Sequence, residues 1–399
     1  MVILAGGWQT PPPSASSKLP TAEEINSVLK ELADITGFQI RRQLPFASIT
    51  REQVNEYLKE QIRRSVKPDE IRAQETTLKK FGFVPADFDL KQTTIDLLTE
   101  QAAAFYDFRK KKLFISDWAA VNMRDVALIH ELAHALADQN FPIQKFTSKD
   151  SDNSEASLAR EAVVEGQASW LMLEVGARRN GRTLADPQTA REFLDNGADA
   201  QSSQYPVFNK APLYLQKTLM FPYDDGEKFQ QAVFLRDGKP AFARVFRDPP
   251  VSTAQIVHPA RYFDHTPLSS PNLPKPVRHA KPFVTGAMGE LETRILLEQY
   301  VSAGFAQMLG PKLKGADYRV DETRPGHRMT LVYASEWSDE DAAASYFDAY
   351  QKVLRAKWKS LEVSRNSTNQ FSGKSEDGYF AVTRAGNKVL SEEGFEQPL

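Results

Sequence analysis

The chain has 399 residues, 41% hydrophobic and 26% charged, with a net charge of −2. That balance suits globular domains and leaves neither a basic nucleic-acid surface nor an acidic tail. Cysteine is absent, which excludes disulfides, thiolate metal sites and cysteine nucleophiles, and no apolar run approaches the roughly 20 residues that span a bilayer.

Residues 1–20, "MVILAGGWQTPPPSASSKLP", combine a short apolar stretch with a Pro/Ser-rich run and read as a flexible leader. A trimmed export signal is one origin for it. With the missing cysteines it points to an exported protein: periplasmic, secreted or envelope-tethered. Residues 21–100 read as helical, and "ITREQVNEYLKEQI" opens with Thr50 and Gln53 in capping-box positions. "AAFYDFRKKKLFIS" places two β-like runs around a basic turn and predicts a hairpin. A helix with Asn122 as N-cap and Asp125 behind it follows, and then a polar loop, "TSKDSDNSEAS", over 147–157. "LAREAVVEGQASWLMLEVGARRNG" predicts a second long helix ending near Asn180 and Gly181. From about 205 to 285 prolines abound, and "FPYDDG" and "RDPPVSTAQIVHPARYF" read as loops. The remainder, 286–399, reads as a smaller α+β region. It has a helix near 287–300, a strand "MTLVYASEW", a helix capped by Ser338 with Asp341 behind it, and a hairpin around Gly386-Asn387.

The chemistry concentrates in "LIHELAHALADQ", residues 128–139. His130 and His134 stand at i and i+4, stacked on one helical face, where two imidazoles can grip one zinc ion. Glu131 between them can reach a metal-activated water. The flanking residues 126–129, 132–133 and 135–137 are uncharged, so the helix is buried on most sides, where a glutamate without a basic partner is costly unless it has work to do. A catalytic zinc takes a third protein ligand. Asp138 lies about 12 Å along the axis from His130, too far for that role, and is better suited to bonding His134 or closing the helix end. The next helix offers Glu161 and Glu165, again four apart. Glu165 is the expected ligand, because Gly166 beside it lets the motif helix approach closely, and Glu161 would then orient a histidine from behind. The reverse assignment of the two glutamates stays open.

H-E-x-x-H on one helix and a glutamate on the next resembles the gluzincin metallopeptidases, and "EGQA" resembles the E-G-x-A of their aminopeptidase branch. Thirty residues separate His134 from Glu165, more than in those branches, and the 147–157 loop would absorb the excess. "FYD", "HELAHALADQ", "VEGQA", "FPYDDG" and "STAQIVHPARY" are together similar to a group of uncharacterised bacterial and archaeal H-E-x-x-H proteins. The resemblance implies an α+β, helix-rich zincin-like catalytic domain over 21–285 and a zinc-dependent peptidase acting on peptide or protein substrates. Glu131 would be the general base. It further implies an oxyanion donor, for which His258, Tyr262, Tyr223 and Tyr214 are candidates with His258 leading, and a substrate-binding strand edge at "KKLFIS". A non-catalytic envelope protein of zincin fold is the alternative. A helical scaffold without metal would require the motif, the second acidic helix and its E-G-x-A context to coincide by chance.

Overall fold

A computed structural model describes residues 19–65, 68–101, 104–117, 121–149, 153–195, 205–324 and 326–398. The leader expected over 1–20 lies outside these apart from Leu19 and Pro20. Helices hold 54% and strands 20%, so the class is α+β and helix-rich, as expected.

The first half contains α1 (Ala22–Thr36), β1 (Phe46–Ile49), α2 (Arg51–Ser65), α3 (Pro68–Phe81), α4 (Leu90–Gln101), β2 (Ala104–Asp107), β3 (Lys112–Ser116), α5 (Val121–Asn140), α6 (Ile143–Ser148) and α7 (Ser154–Arg179). Then come α8 (Pro187–Asp195), α9 (Pro206–Lys210), α10 (Leu213–Asp237), α11 (Ala241–Arg247), α12 (Thr253–Val257), α13 (Pro259–Phe263), β4 (Ala280–Ala287), α14 (Glu290–Tyr300) and α15 (Ala303–Leu309). The chain closes with β5 (Leu313–Thr323), β6 (Met329–Trp337), α16 (Glu340–Lys357), β7 (Leu361–Asn366), β8 (Gln370–Ser375), β9 (Gly378–Ala385) and β10 (Lys388–Phe395).

Local chemistry sets several boundaries as the sequence predicts. Thr50 and Gln53 form both arms of a capping box at α2. The β2–β3 hairpin turns through the basic run, with Lys111 at φ 52, and β9 and β10 meet around Gly386-Asn387. Other boundaries shift. α5 begins at Val121, so Asn122 lies inside it rather than capping it. Asp339, not Ser338, caps α16 by accepting the Ala342 N–H at 2.7 Å. The 147–157 loop is shorter than expected, because Asn153 caps α7 through Ala156 N–H and 154–157 are already helical.

The largest departure is "FPYDDG", which lies in the interior of the 25-residue α10. Pro222 cannot donate to the Thr218 carbonyl. Burial of Phe221, Gly226, Phe229 and Val233 outweighs that lost bond, since each large apolar side chain taken from water stabilises by about 1.5–3 kcal/mol.

Two sheets form. In the smaller, the order β1-β3-β2 makes β3 central, parallel to β1 and antiparallel to β2. The "KKLFIS" strand therefore has no free edge to offer a substrate. The larger is antiparallel, β4-β5-β6-β10-β9-β8-β7. The division expected at 285/286 falls inside β4, whose pairing with β5 begins at Ala280, so all of β4 joins the C-terminal sheet. One core runs through both halves, from Leu29 and Leu132 through Trp170 and Phe229 to Tyr346 and Val389.

Two features bind the helices that carry the site. The first is the crossing of α7 and α10. A Cβ added at Gly166 would meet the Gly226 carbonyl carbon at 2.1 Å, and one at Gly226 would meet the Ala162 carbonyl oxygen at 2.4 Å. Backbone touches backbone there. Gly166 thus admits α10, not the motif helix. Polar bolts flank the crossing: Trp170 Nε1 donates to Gln231 Oε1 at 2.6 Å, and Gln167 Nε2 donates to the Phe242 carbonyl at 3.1 Å.

The second feature is a buried carboxyl pair at the start of α7. Glu155 accepts from Thr253 N–H at 3.0 Å and Thr253 Oγ1 at 2.9 Å, and Glu292 accepts from Gly289 N–H at 3.1 Å. Gly289 needs to be glycine, because a Cβ would fall 1.9 Å from Glu155 Cδ. Burial, with the facing Glu292 carboxylate next in size, pushes Glu155 well above the usual carboxylate range; burial also raises Glu292. The pair ties α7, α12 and α14 together.

Gly166→Ala should destabilise the fold by about 1–3 kcal/mol in urea or thermal unfolding, as overpacking does. Gly176→Ala on the same helix is the control, since nothing lies within 4 Å of its added Cβ; it should stabilise by about 0.5–1 kcal/mol. Equal effects would remove the crossing as the cause. The carboxyl pair sets a pH dependence. Its folded values are raised, so its contribution is fully present below the ordinary carboxylate value of 4.5 and is lost as pH rises through the folded values. Glu292→Gln keeps the hydrogen bonds without the second charge. It should flatten the fall in stability between pH 5 and pH 8, gaining about 1 kcal/mol on wild type at the upper end.

Candidate metal centre

α5 is apolar around nearly its whole girth, and Leu128, Ile129, Leu132, Ala133, Leu136 and Ala137 are buried in the core. Its three motif side chains are buried too: His130 is 2% exposed, Glu131 0% and His134 1%. α7 packs against this helix and brings up Glu165, 1% exposed. His130 Nε2 lies 3.1 Å from Glu165 Oε2, His134 Nε2 lies 3.3 Å from that oxygen, and the two Nε2 atoms are 3.0 Å apart. Three ligand atoms thus converge on one point, and His130, His134 and Glu165 form the group that could hold a metal ion among the described residues.

The donor set fits such an ion. Ligands about 2.0–2.1 Å from a tetrahedral zinc stand roughly 3.3 Å from each other, close to the three observed separations. Glu165 Oε1 is buried with no hydrogen-bond partner, an arrangement that is costly in a core but suitable beside a cation. Burial alone would raise the Glu165 pKa, yet the charges and hydrogen bonds of His134 and His130 bring it down to about 2. This carboxylate is built to stay ionised.

β2 positions Glu131. The Tyr106 N–H, on the outer edge of that strand, donates to Glu131 Oε2 at 2.6 Å. The phenol of the same residue donates to Asp138 Oδ2 at 2.9 Å, two turns further along α5. Asp138 also receives Lys111 Nζ at 2.7 Å and the Ile143 N–H at 3.1 Å. It therefore clamps the hairpin to the end of α5 and does not bond His134. Phe108, from the hairpin turn, packs edge-on against His134 with ring centroids 5.8 Å apart.

α10 contributes Tyr223. Its ring stacks on His130 at a centroid distance of 6.0 Å. Burial, then Glu165 and Glu131, push its phenol well above the usual value, so it keeps its proton and can donate. The other oxyanion candidates are engaged elsewhere. His258 Nε2 bonds Glu290 Oε1 at 2.8 Å, and Tyr262 donates to the Asp248 carbonyl at 2.7 Å. Tyr214 packs on Phe83 and feels the Glu155–Glu292 pair. Glu161 bonds neither histidine. Burial, then repulsion from Glu165, raises its pKa to about 7. The Tyr106 amide had no sequence signal, since a backbone donor carries no residue type. Compared with protein-family models, curated proteins and solved structures, the chain matches none.

Metal analysis of purified protein should find about one ion per chain, lost in His130→Ala and in His134→Ala. Glu165→Ala should nearly empty the site, whereas Glu161→Ala should cost no more than the roughly 10- to 100-fold typical of residues outside the ligand set. An emptier Glu161→Ala protein would exchange the two roles.

Proposed function

We propose that the chain is a zinc-dependent peptidase. The observation that carries this reading is the convergence of His130, His134 and Glu165 beside a buried Glu131 that a backbone amide holds in place. A structural metal site has no use for a base between two of its ligands. The gluzincin resemblance of "HELAH" and "EGQA" supports the same reaction and the choice of zinc, as does the mix of imidazole and carboxylate donors.

His130, His134 and Glu165 would hold the ion, which when bound supplies the Lewis acidity that activates water and polarises the scissile carbonyl. Glu131 takes the proton from the attacking water and returns it to the leaving amine. Tyr106 N–H fixes one Glu131 oxygen, so the base does not swing during the transfer. The protonated Tyr223 phenol donates to the developing oxyanion, because its ring stacks on His130, whereas His258 bonds Glu290 and Tyr262 bonds the Asp248 carbonyl. The outer edge of β2, rather than β3, is the strand we assign to the substrate backbone. No helix among the described residues is long and apolar enough to cross a membrane, and the missing cysteines suit an exported protein.

Zinc-loaded protein should cleave peptides in a mixed library read by mass spectrometry. Glu131→Gln should keep the metal and lose cleavage, and Tyr223→Phe should lower kcat about 100-fold or more with KM little changed. Cleavage by Glu131→Gln at the parent rate would end the mechanism.

A further inference from the structure

The β2–β3 hairpin is bonded to α5 at two levels. At the first, the Tyr106 N–H donates to Glu131. At the second, seven residues further along the same face of the helix, Asp138 receives the Tyr106 phenol once and the Lys111 ammonium twice. One level alone would be a pivot. Two fix the angle of the hairpin to the helix, and with it the aim of the Tyr106 amide.

Lys111 is the unusual member of the second level. Among the described residues, four that are not glycine stand at positive φ: Lys111, His265, His279 and His327. Histidine tolerates that backbone better than most types. A lysine at φ 52, closing a hairpin turn, holds a position that glycine fills without strain. The turn does not need the lysine side chain, because Asp107 Oδ1 holds it from within, accepting the Arg109 N–H at 2.8 Å and the Lys110 N–H at 2.9 Å. Lys111 instead reaches across to Asp138, 2.7 Å from Oδ2 and 2.9 Å from Oδ1. That carboxylate is 0% exposed and is itself fixed by the Ile143 N–H. Arg42 comes within 3.6 Å of the same carboxylate, but it lies outside the hairpin and can offset the charge without holding the strand. Strained backbone kept at one residue marks a side chain with work to do.

We propose that Lys111 is a positioning residue for Glu131: its ion pair with Asp138 holds the hairpin so that the Tyr106 N–H stays on the Glu131 carboxylate. The consequence for cleavage rests on the metallopeptidase reading. The consequence for the Tyr106 amide does not, and it can be read without metal or substrate.

The experiment follows amide hydrogen exchange in the full chain by NMR, in wild type, Lys111→Gly, Lys111→Asn and Lys111→Arg. Glycine and asparagine both suit the turn backbone while removing the cation. In these two variants the Tyr106 amide should exchange about tenfold faster or more, as loss of a charge-assisted hydrogen bond allows. Lys111→Arg keeps the cation and should restore slow exchange. Leu113 N–H, which donates to the Pro45 carbonyl at 2.9 Å on the β1 side of the hairpin, should exchange as in wild type throughout. In zinc-loaded protein, kcat should fall about 10- to 100-fold in Lys111→Gly with zinc content unchanged, and return in Lys111→Arg. The inference is overturned if Tyr106 exchange is unchanged in both cation-free variants, if it quickens equally in Lys111→Arg, or if Leu113 quickens with it. It is also overturned if an active wild type and Lys111→Gly share one kcat. A wild type that cleaves no peptide would end the metallopeptidase reading, and the exchange rates would still decide whether Lys111 holds the amide on Glu131.

Discussion

The rest of the site depends on two glycines meeting. Helices ordinarily pack with axes about 8–10 Å apart because side chains stand between them. At Gly166 and Gly226 no side chain stands there, and the backbones of α7 and α10 touch. Glu165 precedes one glycine by a single residue, and Tyr223 precedes the other by three. The contact therefore holds Glu165 against His130 and His134, and Tyr223 over His130. Gln167 then donates to Gln230 Oε1 and the Phe242 carbonyl, and Trp170 to Gln231 Oε1, across the crossing. The geometry of the candidate metal group is thus set from behind, by packing outside it.

The same helix shows how environment, not residue type, decides what a carboxyl group is. Glu165 and Glu161 are one turn apart and chemically identical, yet one is held near 2 and the other near 7. Two imidazoles account for the first, and burial beside another carboxylate for the second. Ten residues before Glu165, Glu155 meets a second glutamate instead, and burial with that neighbour pushes it well above the usual range while Thr253 holds it to α12.

Much of this was legible in the residues because it is local. Capping at Thr50, the hairpin before the motif, the turn at Gly386-Asn387 and the two helices bearing His130, His134 and Glu165 all rest on neighbours within a few positions. What failed was long-range. Proline in "FPYDDG" is a sound local signal for a loop, but burial of Phe221 and Phe229 against α7 overrode it, and with it went the position of Tyr223. β3 reads as a strand, yet nothing nearby says that β1, over 60 residues earlier, covers its second edge. Gly166 correctly announces a close approach without saying which helix arrives. The shift from Ser338 to Asp339 is of another kind: both residues can cap, and a helix start is ambiguous by one position.

The grip of Tyr106 on α5 has a genetic corollary. Its phenol holds Asp138 and is written in the codon, so substitution can remove it. The amide that steadies Glu131 belongs to the main chain, which nineteen amino acids supply equally and only proline lacks. Lineages descended from this protein can therefore replace the side chain at this position while Glu131 keeps its anchor. A comparison of such descendants would find residue 106 variable and still indispensable, its constraint visible solely as the one letter that never occurs.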